Sequence, residues 1–266
     1  MRLRADQCEL PHVRKERYSV RHVIKAGGSV LSDLNDHFYE ALAHLKSIGQ
    51  DIIIVHGGGP HISAKLDSCG IPFEKVDGIR VTSKQAMKAV EETLAGSVNT
   101  SFVRRLNKAG FDAVGLSGSD AELLQCSLLD ESRYGMVGKV EKTNGRLLRH
   151  MLQGGFIPVI SSIGMNENGD AVNINADVAA EAVALAVVAD QITFISDVEG
   201  LMENKQLIKK ATRQEIQNWI QDGTIYGGMI PKVEAALNCL DNGIKSVSIA
   251  GTALNGTTIQ KEGIAV

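Results

Sequence analysis

The chain has 266 residues, 44% of them apolar and 22% charged, with Lys+Arg 28 against Asp+Glu 31. That balance excludes the basic field of a nucleic-acid binder and the low hydrophobicity of a disordered chain, and the length suffices for one large α/β domain or two lobes. The four cysteines, Cys8, Cys69, Cys126 and Cys239, are scattered without a Cys-x-x-Cys pair, and no apolar stretch reaches the roughly 18 residues of a membrane span, so a reduced, cytoplasmic protein with no membrane segment and no metal centre of its own is expected.

Residues 1–17 hold five Arg/Lys, three acids and a proline without periodicity. They read as a flexible tail, with packing on a partner subunit as the alternative. From Val20 onward strand-like and helical segments alternate, which predicts β-α-β units: a three-layer αβα sandwich around a mainly parallel open sheet.

The run from Val20 to Ile24 predicts a first strand, followed by Lys25-Ala26-Gly27-Gly28-Ser29. Leu34, Phe38, Leu42, Leu45 and Ile48 recur every three or four residues, giving one apolar helix face that stops at Gly49. The strand Ile52 to Val55 then enters Gly57-Gly58-Gly59-Pro60, with the proline suited to a helix first turn and Gly70 to its end. Asp77-Gly78 predicts a β-hairpin that carries Arg80. A helical region from Ser83 to Lys108 shows a possible break at Gly96. Further strands are expected over Val114 to Leu116, Leu123 to Leu128, Phe156 to Ser161 and Ile192 to Ser196, with an Asn168-Gly169 two-residue turn between two short strands. A helix opens at Asn173-Ile174-Asn175-Ala176-Asp177 and reaches about Val188. Thr212 and Glu215 fit a capping box, Pro231 starts a helix that ends near Gly243, and a strand pair around Val247 and Thr258 closes the sheet. The series divides most naturally near Ala189, into an N-lobe of residues 18–188 and a C-lobe of residues 189–266.

Three groups stand out chemically. The two glycine turns bring backbone N–H groups close to a ligand at helix N-termini, which suits an anion, although a tight strand-to-helix turn needs the same residues. Lys25 ends a strand at the carboxyl edge of a parallel sheet, where it is either a ligand contact or a solvated charge. Asp177, at a helix start, is either a cap or a partner for lysine. The third group, Gly227-Gly228-Met229-Ile230-Pro231-Lys232, puts a second lysine in a helix first turn. Two lysines and an aspartate able to hold both suit phosphoryl transfer, where charge and positioning matter more than a protein nucleophile. His56 and His61 flank the triple glycine and read as packing residues. Neither the G-x-x-x-x-G-K-[ST] nor the G-x-G-x-x-G nucleotide fingerprint is present.

With those motifs in this order, and with Gly78-Ile79-Arg80-Val81-Thr82 and Ser196-Asp197-Val198-Glu199-Gly200-Leu201 between them, the chain from Val20 onward resembles the amino-acid kinase superfamily and, within it, the acetylglutamate kinase branch of arginine biosynthesis. The resemblance implies the amino-acid kinase fold and an ATP-dependent phosphorylation of the side-chain carboxylate of N-acetyl-L-glutamate. It implies that Lys25 contacts the transferring phosphoryl group, that Lys232 neutralises the nucleotide's bridging oxygen and that Asp177 orients both. It further implies that Gly28, Gly58 and Gly59 bind phosphoryl and acceptor oxygens, and that Arg80 and Asn173 hold the acceptor. ATP is implied at Asp197, Val198, Glu199, Gly200, Leu201, Met202, Thr224, Ile225 and Tyr226, with Mg²⁺ held mainly by phosphates and water. Tyr226 departs from the small polar residue frequent there. The irregular tail does not match the long N-terminal helix of the family's arginine-regulated hexamers, which implies a homodimer and leaves feedback control undecided. Competing expectations are a kinase for N-acetyl-aminoadipate, one methylene longer, and a sensor that keeps the fold without turnover. A dinucleotide oxidoreductase lacks its fingerprint.

Overall fold

A computed structural model of the chain describes residues 19–203, 206–227 and 229–260, so the expected tail, Cys8 and Gly228 lie outside the described residues. Strand β1 (Arg21–Ala26) is followed by a 3-10 turn (Val30–Ser32) and helix α1 (Asp36–Ser47). Phe38 and Leu42 of α1 are fully buried, but Ile48 is 58% exposed. It caps the helix rather than belonging to it, so the periodicity that includes it overshoots by one residue. Strand β2 (Asp51–His56) leads into α2 (Gly59–Ser68), with Pro60 in the first turn and Gly70 in the left-handed region at φ +64 beyond the end.

Strands β3 (Lys75–Val76) and β4 (Ile79–Arg80) make the expected hairpin as a separate two-stranded sheet. Asp77 and Gly78 both take positive φ, as a type I′ turn requires. Helix α3 (Lys84–Glu91) runs through a π-helical stretch (Glu92–Val98) into α4 (Asn99–Lys108). The break expected at Gly96 is therefore a widening of one helix.

The middle of the chain gives β5 (Ala113–Ser117), β6 (Leu124–Leu128), α5 (Glu131–Tyr134), β7 (Gly138–Thr143), α6 (Gly145–Gln153), β8 (Ile157–Ser161), β9 (Ile163–Met165) and β10 (Ala171–Asn173). Between β9 and β10, only Gly169 has positive φ, and Asn166 N donates to Asp170 O. The connection is thus a three-residue loop with a glycine bulge, not the two-residue turn that Asn168-Gly169 suggests. Asn166 explains the choice, because its side-chain oxygen accepts from the N–H groups of Asn168 and Asp170.

The remainder comprises α7 (Ala176–Ala186), β11 (Gln191–Ile195), β12 (Met202–Glu203), β13 (Gln206–Leu207), β14 (Lys210–Thr212), α8 (Arg213–Gln221), α9 (Met229–Asp241), β15 (Ser246–Ala250) and β16 (Thr257–Gln260). Helix α7 stops short of Val188, which turns left-handed at φ +52, and α9 starts two residues ahead of Pro231. The capping box of Thr212 and Glu215 is present in full.

The main sheet has the order β14-β16-β15-β11-β1-β2-β8-β5. All its pairings are parallel except β15 with β16. Both faces are covered, and the strands alternate between them. Val23, Ile53 and Val55 face a core built with Leu66, Val90, Val183 and Val233, whereas Ile24, Ile52 and Ile54 face one built with Phe38, Leu42, Phe102 and Leu106. Such double burial is why β1 and β2 read as continuous apolar runs. The sheet order reverses between β1 and β11: the chain passes from β1 to β2 on one side and from β11 to β15 on the other. At such a point the loops beyond the carboxyl ends part and leave a crevice. A second sheet, β10-β9-β6-β7, carries Asn173 at its edge. No described helix is long and apolar enough to cross a membrane.

Candidate active site

The loops that leave β1 and β2 press directly on each other. A Cβ on Gly28 would stand 2.6 Å from both Gly58 Cα and Gly59 N, and one on Gly58 would overlap Leu94 Cδ2. At Gly28 the obstacle is backbone, so no side chain fits there, whereas a Cβ on Gly58 would require Leu94 to move. Gly57 N donates to Ala26 O at 3.2 Å, tying the turns together. Helix α2 begins at Gly59, and Ile62 N is bonded back to Gly58 O. The N–H groups of the helix start ahead of it lack intrahelical acceptors and are available to an anion.

Lys25 is brought to this edge by β1, where it is registered with Val55 on one side and Phe194 on the other. Its Nζ lies 2.8 Å from Asp177 Oδ1. The cap of α7 is Asn175, whose side-chain oxygen accepts from Asp177 N at 2.8 Å. That arrangement resolves the two readings of Asp177, because its carboxylate is free of capping and faces the lysine.

Arg80 arrives from the hairpin and is 7% exposed. Its Nη2 donates to Gly59 O at 3.1 Å and to Ser63 Oγ at 2.7 Å, and its guanidinium carbon sits 4.3 Å from the centroid of the Phe73 ring. Its Nη1 is buried with no partner. Burial pushes the Arg80 pKa down while Asp67 acts in the opposite sense, yet a guanidinium keeps its charge in proteins. Asn173 Nδ2 donates to Thr82 Oγ1 at 3.2 Å, and that hydroxyl donates to Arg80 O at 2.9 Å. Arg80 and Asn173 are thus linked through one threonine. Together with Lys25, Asp177 and the glycine turns they surround a cavity of about 370 Å³.

His56 sits beneath the turn, fully buried. Desolvation pushes its pKa down to about 4, so the ring is neutral, with Nδ1–H donating to Gly57 O at 3.0 Å and Nε2 accepting from Asn99 Nδ2 at 3.0 Å. Its role is to support the turn, as the sequence suggests.

Lys232 lies across the crevice on α9. Its Nζ donates to Ser196 Oγ at 2.5 Å and to Asp197 Oδ1 at 2.8 Å, just beyond the end of β11. Those hydrogen bonds, from Lys232 first and then Ser196, pull the Asp197 carboxyl down to about 2. Of the two lysines expected on Asp177, Lys25 is the one paired with it here, while Lys232 is paired with Asp197.

The remaining residues expected at the nucleotide divide by burial. Leu201 and Ile225 are core side chains, so only their backbones are available to a ligand. Val198 and Thr224 are half-buried, and Asp197, Glu199 and Met202 are exposed. Gly200 takes φ +151 and packs so closely on Thr257 that a Cβ would lie 2.8 Å from its hydroxyl oxygen. Tyr226 is 76% exposed, an aromatic face open to solvent. The described residues hold no group of three or more His, Cys, Asp or Glu able to bind a metal ion.

Sequence reading assigned no role to three residues. Ser196, which opens the Ser196-Asp197 motif, ties Lys232 to Asp197. Ser162 and Lys75 line the cavity, Lys75 standing opposite Arg80 in the hairpin register. That register is set by the turn at Asp77-Gly78, from which the placement can be worked out.

Residues 21–251 match the model of the amino acid kinase family. An acetylglutamate kinase of Geobacillus kaustophilus is 43% identical over 248 residues, covering 90% of this chain and 96% of that protein. Among solved structures, smu.665 from Streptococcus mutans superposes with a TM-score of 0.81 at 34% identity, covering 90% of this chain and 98% of that one. An N-acetylglutamate synthase from Neisseria gonorrhoeae, complexed with coenzyme A and N-acetyl-glutamate, shares the fold at a TM-score of 0.78 and 21% identity, over 92% of this chain and 60% of that one.

Proposed function

Because the chain belongs to the amino acid kinase family, we propose that its glycine-lined crevice transfers the γ-phosphoryl group of ATP to the side-chain carboxylate of N-acetyl-L-glutamate, a step of arginine biosynthesis. The observation that carries this reading is the Lys25–Asp177 pair facing a buried guanidinium, Arg80, with an uncommitted Nη1 across a cavity of about 370 Å³. Arg80 Nη1 and Asn173 receive the acceptor's α-carboxylate, which leaves the side-chain carboxylate directed at the glycine turns. A planar fork suits that anchor.

The N–H groups of Gly28, Gly58 and Gly59 hold the phosphoryl and acceptor oxygens. Lys25, kept in place by Asp177, lays its ammonium against the migrating group. Lys232 leaves Ser196 and Asp197 to meet charge growing on the bridging oxygen. The new O–P bond forms as the bond to ADP breaks, giving an acyl phosphate. No proton has to be removed from a carboxylate at neutral pH, so no general base is needed. Residues 197–202 and 224–226 receive the nucleotide, with the ring of Tyr226 offered to the adenine. Mg²⁺ would enter with the nucleotide, held mainly by its phosphates and water, and would supply positive charge there. On this reading residues 18–188 bind the acceptor and form a homodimer, residues 189–266 bind ATP, and the enzyme works in the cytoplasm.

Measuring ADP release with N-acetylglutamate, glutamate, aspartate and N-acetyl-aminoadipate tests the assignment. Preference for N-acetylglutamate is expected. A preference for N-acetyl-aminoadipate moves the assignment to the longer acceptor, and indifference to all four overturns it.

A further inference from the structure

A second cavity, of about 310 Å³, adjoins the glycine turn from the other side. Val98 marks the partition: it lines this cavity and stands 3.7 Å from the Cβ position of Gly58, which lines the catalytic crevice. The polar lining consists of Ser32, His61, Ser97, Ser101 and Arg105, with no acidic side chain. The 3-10 turn, the first turn of α2 and the continuous helix that runs from the π-helical stretch into α4 each contribute, so the walls come from three separate parts of the chain.

Arg105 gives the cavity its chemistry. Its Nη2 donates to Leu31 O at 2.7 Å, and its guanidinium carbon lies 5.5 Å from the centroid of the Phe102 ring, contacts that fix the fork. It forms no ion pair with any described carboxylate, unlike Lys25 and Lys232. Its Nε is buried without a partner, and so is His61 Nδ1. Folded proteins seldom leave buried polar atoms unmet, and a guanidinium cannot shed its charge to relieve the cost. Ser32 and Ser101 are exposed and add hydroxyl donors.

We propose that this cavity is a second oxyanion site, in which Arg105 and the hydroxyls of Ser32 and Ser101 bind the carboxylate or phosphoryl group of a small metabolite. A planar fork recognises either group, and the volume lies at the small end of ligand cavities. The site is independent of the kinase assignment, because none of its polar residues belongs to the catalytic crevice.

The test uses the full chain and its variants Ser101→Glu and Arg105→Lys. Ser101 and Arg105 are four residues apart on α4, so Ser101→Glu supplies the missing carboxylate within the helix without removing any contact that Arg105 makes. Crystals soaked in selenate locate the anion by anomalous scattering, and calorimetric titrations with inorganic phosphate and, separately, malonate read affinity. The expected result is a selenate peak beside Arg105 in the wild type and none in Ser101→Glu, with affinity at this site falling about tenfold in Arg105→Lys, which loses the bidentate fork. Binding of phosphate alone or malonate alone identifies the group. An empty Arg105 cavity in the wild type, or titrations that Ser101→Glu leaves unchanged, overturns the proposal, and Ser101→Glu retaining wild-type melting separates lost binding from lost folding.

Discussion

Lys232 is bound to Asp197 at 2.8 Å, while Asp177 is engaged by Lys25, also at 2.8 Å. Each lysine therefore has its own counter-ion, one on either side of the place where the sheet order reverses. Lys25 is fixed between a strand and a helix start, whereas Lys232 is tethered to the end of β11 through Ser196 and Asp197. A charge held that way can exchange its partner for a phosphate oxygen.

Replacement of Lys232 follows from this arrangement. Lys232→Ala is expected to lower turnover about 100- to 1,000-fold, the usual cost of one preorganised transition-state contact, while the acceptor Michaelis constant changes little. Initial-rate measurements at saturating ATP separate the two parameters. Turnover equal to that of the wild type would remove Lys232 from the chemistry.

Arg80, which is proposed to touch the acceptor and not the migrating group, calls for a different outcome. Arg80→Lys keeps the charge but loses the planar fork and the stacking on Phe73, so the acceptor Michaelis constant should rise about 10- to 100-fold, as expected for a charged hydrogen bond. The Michaelis constant for ATP serves as the internal control. An unaltered acceptor constant would dissociate Arg80 from acceptor binding.

Contact between the glycine turns makes a prediction about stability. In Gly28→Ala the new Cβ meets backbone atoms of Gly58 and Gly59 at 2.6 Å, and backbone cannot turn aside as a flexible side chain does. A loss of about 1–3 kcal/mol is expected, together with most of the activity. Gly96→Ala is the matched comparison, since a Cβ there meets nothing within 4 Å and a helix favours alanine by about 1 kcal/mol. Urea unfolding of both variants should move in opposite directions.

These contrasts also show where sequence is informative. The double burial of β1 and β2 is written in their apolar runs, and the glycine turns announce themselves because no other residue tolerates the approach of Gly28 to Gly58. Local rules also give the hairpin at Asp77-Gly78 and the capping box at Thr212. What stays hidden depends on partners far along the chain. Lys232 chooses Asp197 over Asp177 because α9 delivers it to the end of β11, and no spacing encodes that delivery. The helix that widens at Gly96, the emergence of Ile48 and the early end of α7 depend on how each turn packs against the sheet, which apolar periodicity does not resolve. Arg105 carries no motif at all and is found only through the cavity that it lines.

Two buried histidines give the protein a defined acid sensitivity. His22 bonds to Gln50 Oε1 at 3.2 Å and to Thr193 Oγ1 at 2.8 Å, His56 lies beneath the glycine turn, and burial pushes the pKa of each from 6.5 to about 4. Between those values the unfolded chain binds protons that the native state refuses. The stabilisation is therefore complete above about pH 6.5, declines as pH falls and is exhausted near pH 4, a loss of roughly 2 kcal/mol per histidine between about pH 7 and about pH 5. Asp197, with its carboxyl at about 2, acts only below this window, since its contribution is lost as pH falls from 3.8 toward that value. His22→Gln keeps hydrogen-bonding groups for Gln50 and Thr193 and removes one titrating ring. Urea unfolding at about pH 7 and about pH 5 should show this variant losing roughly 2 kcal/mol less than the wild type over the interval. An identical loss in the two proteins would mean that the His22 ring takes up its proton without unfolding.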